Sequence, residues 1–250
     1  MEPASPVPAP TPISTLDVLT PVHKGLRAMI YALGNRLQTT DFTDERATET
    51  VVADLTYQFA AGVPGGCVLC LLHAHAGHED EWGFPPARPF APELIDELLA
   101  DHHRFTRDLA QVAAMTAQLA ALHEPAPRIA AGLRLNQFLN DFFQRYLAHM
   151  NREETALVPL LNLHLTDAEI AGMRTAVERS MAPDRFAALN RWILGALDAN
   201  ELTAILSGRL AATAPAEREP LLAFVRSAVD PVRWQVVAGR LGLPEARGPP

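Results

Sequence analysis

The chain is expected to be all-α, an up-down-up-down four-helix bundle followed by a smaller all-helical C-terminal appendage. Three observations predict this. Apolar residues recur every three or four positions along nearly the whole length, as one buried helix face requires. No segment shows the period-two, β-branched pattern of a strand. Four long periodic stretches are joined by short connectors, which makes successive helices antiparallel neighbours.

Residues 1–13 alternate proline with small residues (Pro3, Pro6, Pro8, Pro10, Pro12) and are expected to form an extended, disordered leader. Leu16, Leu19, His23, Leu26 and Ile30 then share one helical stripe, predicting a first helix over about 15–37. Thr43 is a good N-cap for a second run carrying Val51, Val52, Leu55 and Phe59. That run meets Gly62-Val63-Pro64-Gly65-Gly66, where a break or sharp kink belongs, and resumes from Cys67 to about Glu81. Pro85, Pro86 and Pro89 predict a loop, with Pro92 in the first turn of a third helix. That helix carries Leu94, Ile95, Leu98, His102, Phe105, Leu109 and Val112. A fourth helix is expected over about 127–158, with Leu135, Phe138, Phe142, Tyr146 and His149 on one face. Beyond Leu163, Thr166-Asp167-Ala168-Glu169 reads as a capping box. Four or five short helices should follow over 165–245, separated at Ala182-Pro183, Leu197-Asp198, Ala214-Pro215 and Asp230-Pro231. The expected division is a leader (1–13), a bundle (14–163), a short-helix region (164–246) and a frayed tail (247–250).

Composition narrows the function. At 250 residues the chain holds one domain, or one plus an appendage. Its 48% hydrophobic content supports a core, and 6% aromatics make that core aliphatic. With 21 basic against 29 acidic side chains the net charge is −8, which argues against nucleic acid or an anionic membrane as partner. No apolar run approaches the roughly 18 residues of a spanning helix. The first residues have neither a basic n-region nor an apolar h-region, so no signal peptide is expected. Two cysteines, Cys67 and Cys70, cannot make a disulfide framework and read as reduced thiols. A cytoplasmic protein is expected.

The histidines carry the chemistry. His23, His75, His102 and His149 each sit on the inward stripe of one of the four long helices. One inward histidine is an ordinary core residue, but four in four consecutive helices each need a polar partner. Two of them have a glutamate four residues on: His75 with Glu79, and His149 with Glu153. That spacing puts nitrogen and carboxylate on one helix face. The two segments match further, since each glutamate is followed by an acid (Asp80, Glu154) and, six residues on, by a proline (Pro85, Pro159). Four imidazoles and two carboxylates inside a bundle suit two first-row metal ions bridged by carboxylates. Iron fits best, with manganese or zinc as alternatives.

On these residues, over 14–162, the chain resembles the hemerythrin-like, HHE cation-binding family. The resemblance implies a hemerythrin-like bundle holding a non-haem diiron centre. One iron would take His23 and His75, the other His102 and His149, with Glu79 and Glu153 bridging and an oxo or hydroxo bridge between the ions. It also implies dioxygen, hydrogen peroxide or nitric oxide as the small-molecule partner. The sequence departs from the oxygen carriers, which place a second histidine one turn after the third-helix ligand. Here that turn offers Thr106 or Arg107. The fourth-helix carboxylate is a glutamate four residues on, where the carriers have an aspartate five on. One fewer imidazole leaves a coordination position for reactive chemistry.

Several choices stay open at this point. His102 and His103 are adjacent: the apolar stripe favours His102, whereas Leu99-x3-His103-x3-Arg107 echoes Leu19-x3-His23-x3-Arg27. His73 and His78 are exposed or second-sphere imidazoles, or else a fifth ligand or proton shuttle. Cys67 and Cys70 are buried small hydrophobes or a thiol relay. Asp80 and Glu154 accept from histidine N–H groups or are solvated helix-end charges. Tyr146 and Trp82 pack over the site or relay electrons. His123 and His164 serve at helix ends. Three functions compete: a diiron oxidoreductase acting on a small oxidant, a non-catalytic oxygen or iron sensor or storage module, and a metal-free scaffold. The sensing reading uses residues 164–246 to contact a partner or a second copy.

Overall fold

A computed structural model describes residues 14–59 and 68–243. The expected leader, the break at 62–66 and the tail lie outside the described residues, as does Cys67. The protein is all-α, as expected: among the described residues there is no strand, and long helices are followed by short ones.

In order, the helices are α1 (Thr20–Gln38), α2 (Glu45–Phe59), α3 (Val68–His78), α4 (Phe84–Ala87), α5 (Pro92–Ala120), α6 (Pro125–Arg152) and α7 (Val158–His164). Then come α8 (Asp167–Ser180), α9 (Pro183–Ala196), α10 (Ala199–Ala212), α11 (Pro215–Ala228) and α12 (Pro231–Arg240). Two five-residue π-helical turns, Glu79–Gly83 and Glu153–Leu157, join α3 to α4 and α6 to α7.

Several boundaries differ from expectation. The first helix starts at Thr20 rather than near 15, because the Asp17 carboxylate accepts from the N–H groups of Leu19 and Thr20. Leu16 therefore lies outside the helix and is partly exposed. The cap of α2 is Asp44, which accepts from Arg46 and Ala47 N–H groups, while Thr43 hydrogen-bonds to Asp41. Pro85 and Pro86 are helical, so the loop shrinks to 88–91. The expected fourth helix does not run unbroken to 158. Pro159 lacks an N–H, and in a regular α-helix its ring would strike the carbonyl four residues back. The wider turn accommodates it: Val158 N–H reaches the Glu153 carbonyl, five residues behind. Phe84 N–H does the same to Glu79, one residue before Pro85.

The helices fall into two compact units that interleave in sequence. One comprises, of the described residues, 14–20 and 72–181. Here α5 and α6 pack along each other, and Phe84 and Ala87 of α4, Ile95 and Leu98 of α5, Leu157 and Leu161 form an apolar cluster. Each of the Leu, Ile and Phe side chains contributes roughly 1.5–3 kcal/mol by burial. The capping box expected at Thr166 is present and starts α8. The Ser14 hydroxyl donates to Asp167 (2.5 Å), tying the first described residue to that helix.

The other unit contains α1, α2 and α9 to α12, with a core of Leu194, Leu197, Leu202, Leu206, Val225, Val229 and Val237. Gly25 of α1 lies so close to α9 that an added Cβ would stand 2.9 Å from the Ile193 nitrogen. The α12 side chain Arg233 donates to the carbonyls of Gly195 and Leu197, which the end of α9 leaves open.

Candidate metal centre

The α3–π-turn segment presents His75 and Glu79, α5 presents His102, and α6 with its π-turn presents His149 and Glu153. All five are buried within the first unit, Glu153 with no exposure at all. Both glutamates are the first residues of their π-turns. The extra residue in each turn re-aims the side chains beyond it, and such turns recur at functional sites.

The ring Nε2 of His75 lies 3.2 Å from Glu79 Oε1, and that of His149 lies 3.0 Å from Glu153 Oε1. These are the two helix pairs read from the sequence. His102 Nε2 approaches His149 Nε2 to 2.9 Å and Glu79 Oε2 to 3.6 Å. Two donor groups result. The ligand atoms of Glu79, His102, His149 and Glu153 lie within 4.8 Å of one another, and so do those of His75, Glu79 and Glu153. Both glutamates belong to both groups.

His102 occupies the cluster, while His103 is exposed. The physical reason is tertiary: the Phe84 ring stacks on His102 at 5.1 Å, and Phe105 lies tilted against it at 6.4 Å. His23 lies wholly buried on α1, in the other compact unit. His73 is exposed. His78 points its Nε2 to the Ser180 hydroxyl and packs by Trp82. The Thr106 hydroxyl donates back to the His102 carbonyl, so it does not extend the donor set. Cys70 is disulfide-bonded, against the expectation of a free thiol. His164 stacks on Phe90, and the His123 carbonyl accepts from Arg128.

A wall of aromatics backs the donors. Tyr146 is completely buried, donates its hydroxyl to the Leu72 carbonyl (3.0 Å) and packs against Phe105 and Phe142. Burial pushes its phenol well above the usual range, and the charges of Glu79 and Glu153 push it further.

Two carboxylates stand behind the rings. His102 Nδ1–H donates to Asp80 Oδ1 at 2.6 Å. His149 Nδ1–H donates to Asp101 Oδ2 at 3.3 Å, and Arg152 donates to the same oxygen. For Asp80 the fold selects the acceptor role over that of a solvated charge. Asp101 is a residue that sequence reasoning missed; its only signal is adjacency to His102.

Protonation follows from these neighbours. Burial, then the nearby His149, lower the pKa of His102, and the hydrogen bond to Asp80 opposes them only partly. Burial alone would lower His149 too, but the hydrogen bond and charge of Glu153, with Glu79 and Asp101, raise it. His149 Nε2 thus lies between Glu153 Oε1 at 3.0 Å and His102 Nε2 at 2.9 Å.

Buried carboxylates and imidazoles converging to within 4.8 Å are a nitrogen–oxygen donor set that a divalent first-row cation satisfies. The class is thus a helical cation-binding protein. Residues 14–161 match the hemerythrin HHE cation binding domain, well over half of the chain, and the protein belongs to that family. Neither the curated proteins nor the solved structures give a match.

Proposed function

We propose that the protein is a non-haem diiron protein that binds or reacts with dioxygen, peroxide or nitric oxide. The observation that carries this reading is the sharing of Glu79 and Glu153 by two donor groups. Two carboxylates common to two sets of ligands are what a bridged pair of cations needs, because unshielded dications would repel strongly in a low-dielectric core. In this reading His102 and His149 would hold one iron, His75 would help to hold the other, and Glu79 and Glu153, common to both donor groups, would serve both ions. His23 joins His75 on the strength of the sequence pattern and the resemblance.

Bound iron would supply electron transfer to a small oxidant. The chain supplies the rest. The buried rings of Phe84, Phe105, Phe142 and Tyr146 pack beside the donors and exclude water. Thr106, turned back on its own helix, leaves the set one imidazole short of the oxygen carriers, which favours reaction or sensing over reversible carriage.

Elemental analysis of anaerobically purified protein should give two iron ions per chain. Near-zero iron would favour the metal-free scaffold. Stopped-flow spectra of the reduced protein mixed with oxygen or peroxide separate the remaining readings. Fast turnover with product release marks an oxidoreductase, and a stable adduct marks a sensor or store.

A further inference from the structure

We infer that Asp80 and Asp101 are positioning residues that present His102 and His149, both through Nε2, to one of the two cations. The inference rests on the diiron reading above and goes beyond its ligand set. Each ring is held from behind. Asp80 Oδ1 takes the Nδ1–H of His102 at 2.6 Å, and Asp101 Oδ2 takes that of His149 at 3.3 Å. A carboxylate accepts only, so each Nδ1 must carry the proton and each Nε2 is the nitrogen left to bind a metal. Those two Nε2 atoms are the ones that meet, 2.9 Å apart, beside Glu79 and Glu153.

The arrangement is interlocked. Asp80 follows Glu79 in the π-turn, yet backs a histidine on α5. Asp101 precedes that histidine, yet backs the one on α6. Arg152, next to Glu153, grips Asp101 at 3.1 Å and reaches Glu97 at 3.2 Å. Every backing group is thus the chain neighbour of a donor from another helix. A shift of one helix disturbs the ring carried by the next. The Asp80 and Asp101 side chains are 39% and 33% exposed, so they orient the rings without the burial cost that Glu79 and Glu153 carry.

The test uses full-length protein stripped by chelator and titrated with Co2+ against a competing chelator, following the visible Co2+ bands. Wild type should take two equivalents. Asp80→Ala and Asp101→Ala should each weaken one equivalent by about 10–100-fold and leave the other unchanged. Asp80→Asn still accepts the Nδ1–H but lacks the charge, so it should fall between wild type and Asp80→Ala. The Co2+ bands of the affected equivalent should shift as the ring loosens. Asp96→Asn removes a charge from the same helix at an exposed pair with Arg88 and should change nothing. Circular dichroism of the metal-free variants reports whether the helices survive, which the exposure of both carboxylates predicts. Two equivalents at wild-type affinity and unshifted bands in both alanine variants would overturn this inference and leave the diiron reading standing. Fewer than two equivalents in wild type would overturn the diiron reading, and this inference with it.

Discussion

Replacing Glu79 with glutamine should have opposite effects on the metal-free and metal-loaded protein. Glutamine keeps the shape and removes the charge. In the metal-free state the ligand oxygens of Glu79 and Glu153 lie within 4.8 Å of each other, with both residues buried. At an effective dielectric of about 20, two like charges at that distance repel by about 3 kcal/mol. Glu79 also helps to raise the pKa of His149, and its attraction for the protonated ring offsets part of that repulsion wherever the ring is charged. Glu79→Gln should therefore stabilise the metal-free protein, by about 1–2 kcal/mol, or a rise in Tm of roughly 2–8 °C. In the loaded protein the same change would remove the bridging anion that the diiron reading assigns to Glu79. If affinity for the cations falls about 100-fold, the stabilisation by bound metal drops by about 2.7 kcal/mol, and the sign reverses. Urea unfolding of chelator-treated and metal-loaded samples at pH 7 measures both. Equal destabilisation in the two states would mean that the carboxylate serves packing rather than a cation.

Other outcomes are expected as well. The raised pKa of His149 stabilises the metal-free fold at pH below the free value of 6.5, and that contribution is lost as pH rises through the higher folded value; His102, shifted the other way, adds a cost only as pH falls below 6.5. Because metal must displace the His149 proton, loading should release protons into weak buffer, and affinity should fall with falling pH; a pH-independent titration over 5–8 would contradict this. Gly25→Ala should cost about 1–3 kcal/mol in urea unfolding through its clash with Ile193, whereas Gly208→Ala, in open space on α10, should gain about 0.5–1 kcal/mol. Tyr146→Phe should cost about 0.5–1.5 kcal/mol through loss of the bond to the Leu72 carbonyl, with Co2+ stoichiometry unchanged; loss of metal would mean that the hydroxyl does more than pack.

The sequence showed what is written in neighbours three or four residues apart. Helical class, the capping box at Thr166, the start of α5 at Pro92 and the His-x-x-x-Glu pairs all depend on one turn of one helix, and all were legible. The repeated proline six residues after each glutamate was also visible. Its consequence was not, because the choice between breaking the helix and widening it by one residue depends on how the next turn packs. The cap of α2 falls on Asp44 rather than on Thr43, since neighbouring Thr and Asp side chains compete for the same N–H groups at nearly equal cost.

Partners far apart in the chain were settled by the packing of helices. Periodicity could not choose firmly between His102 and His103; the stacking of Phe84 on one ring made the choice. Asp80 meets His102 across 22 positions, and Asp101 meets His149 across 48. Such pairings leave no periodic trace, because they arise from the way α5 is seated between the two π-turn segments. The chain alone thus determined which residue types could bind a cation and on which helix faces. Packing determined which nitrogen of each ring faces inward and what holds it there.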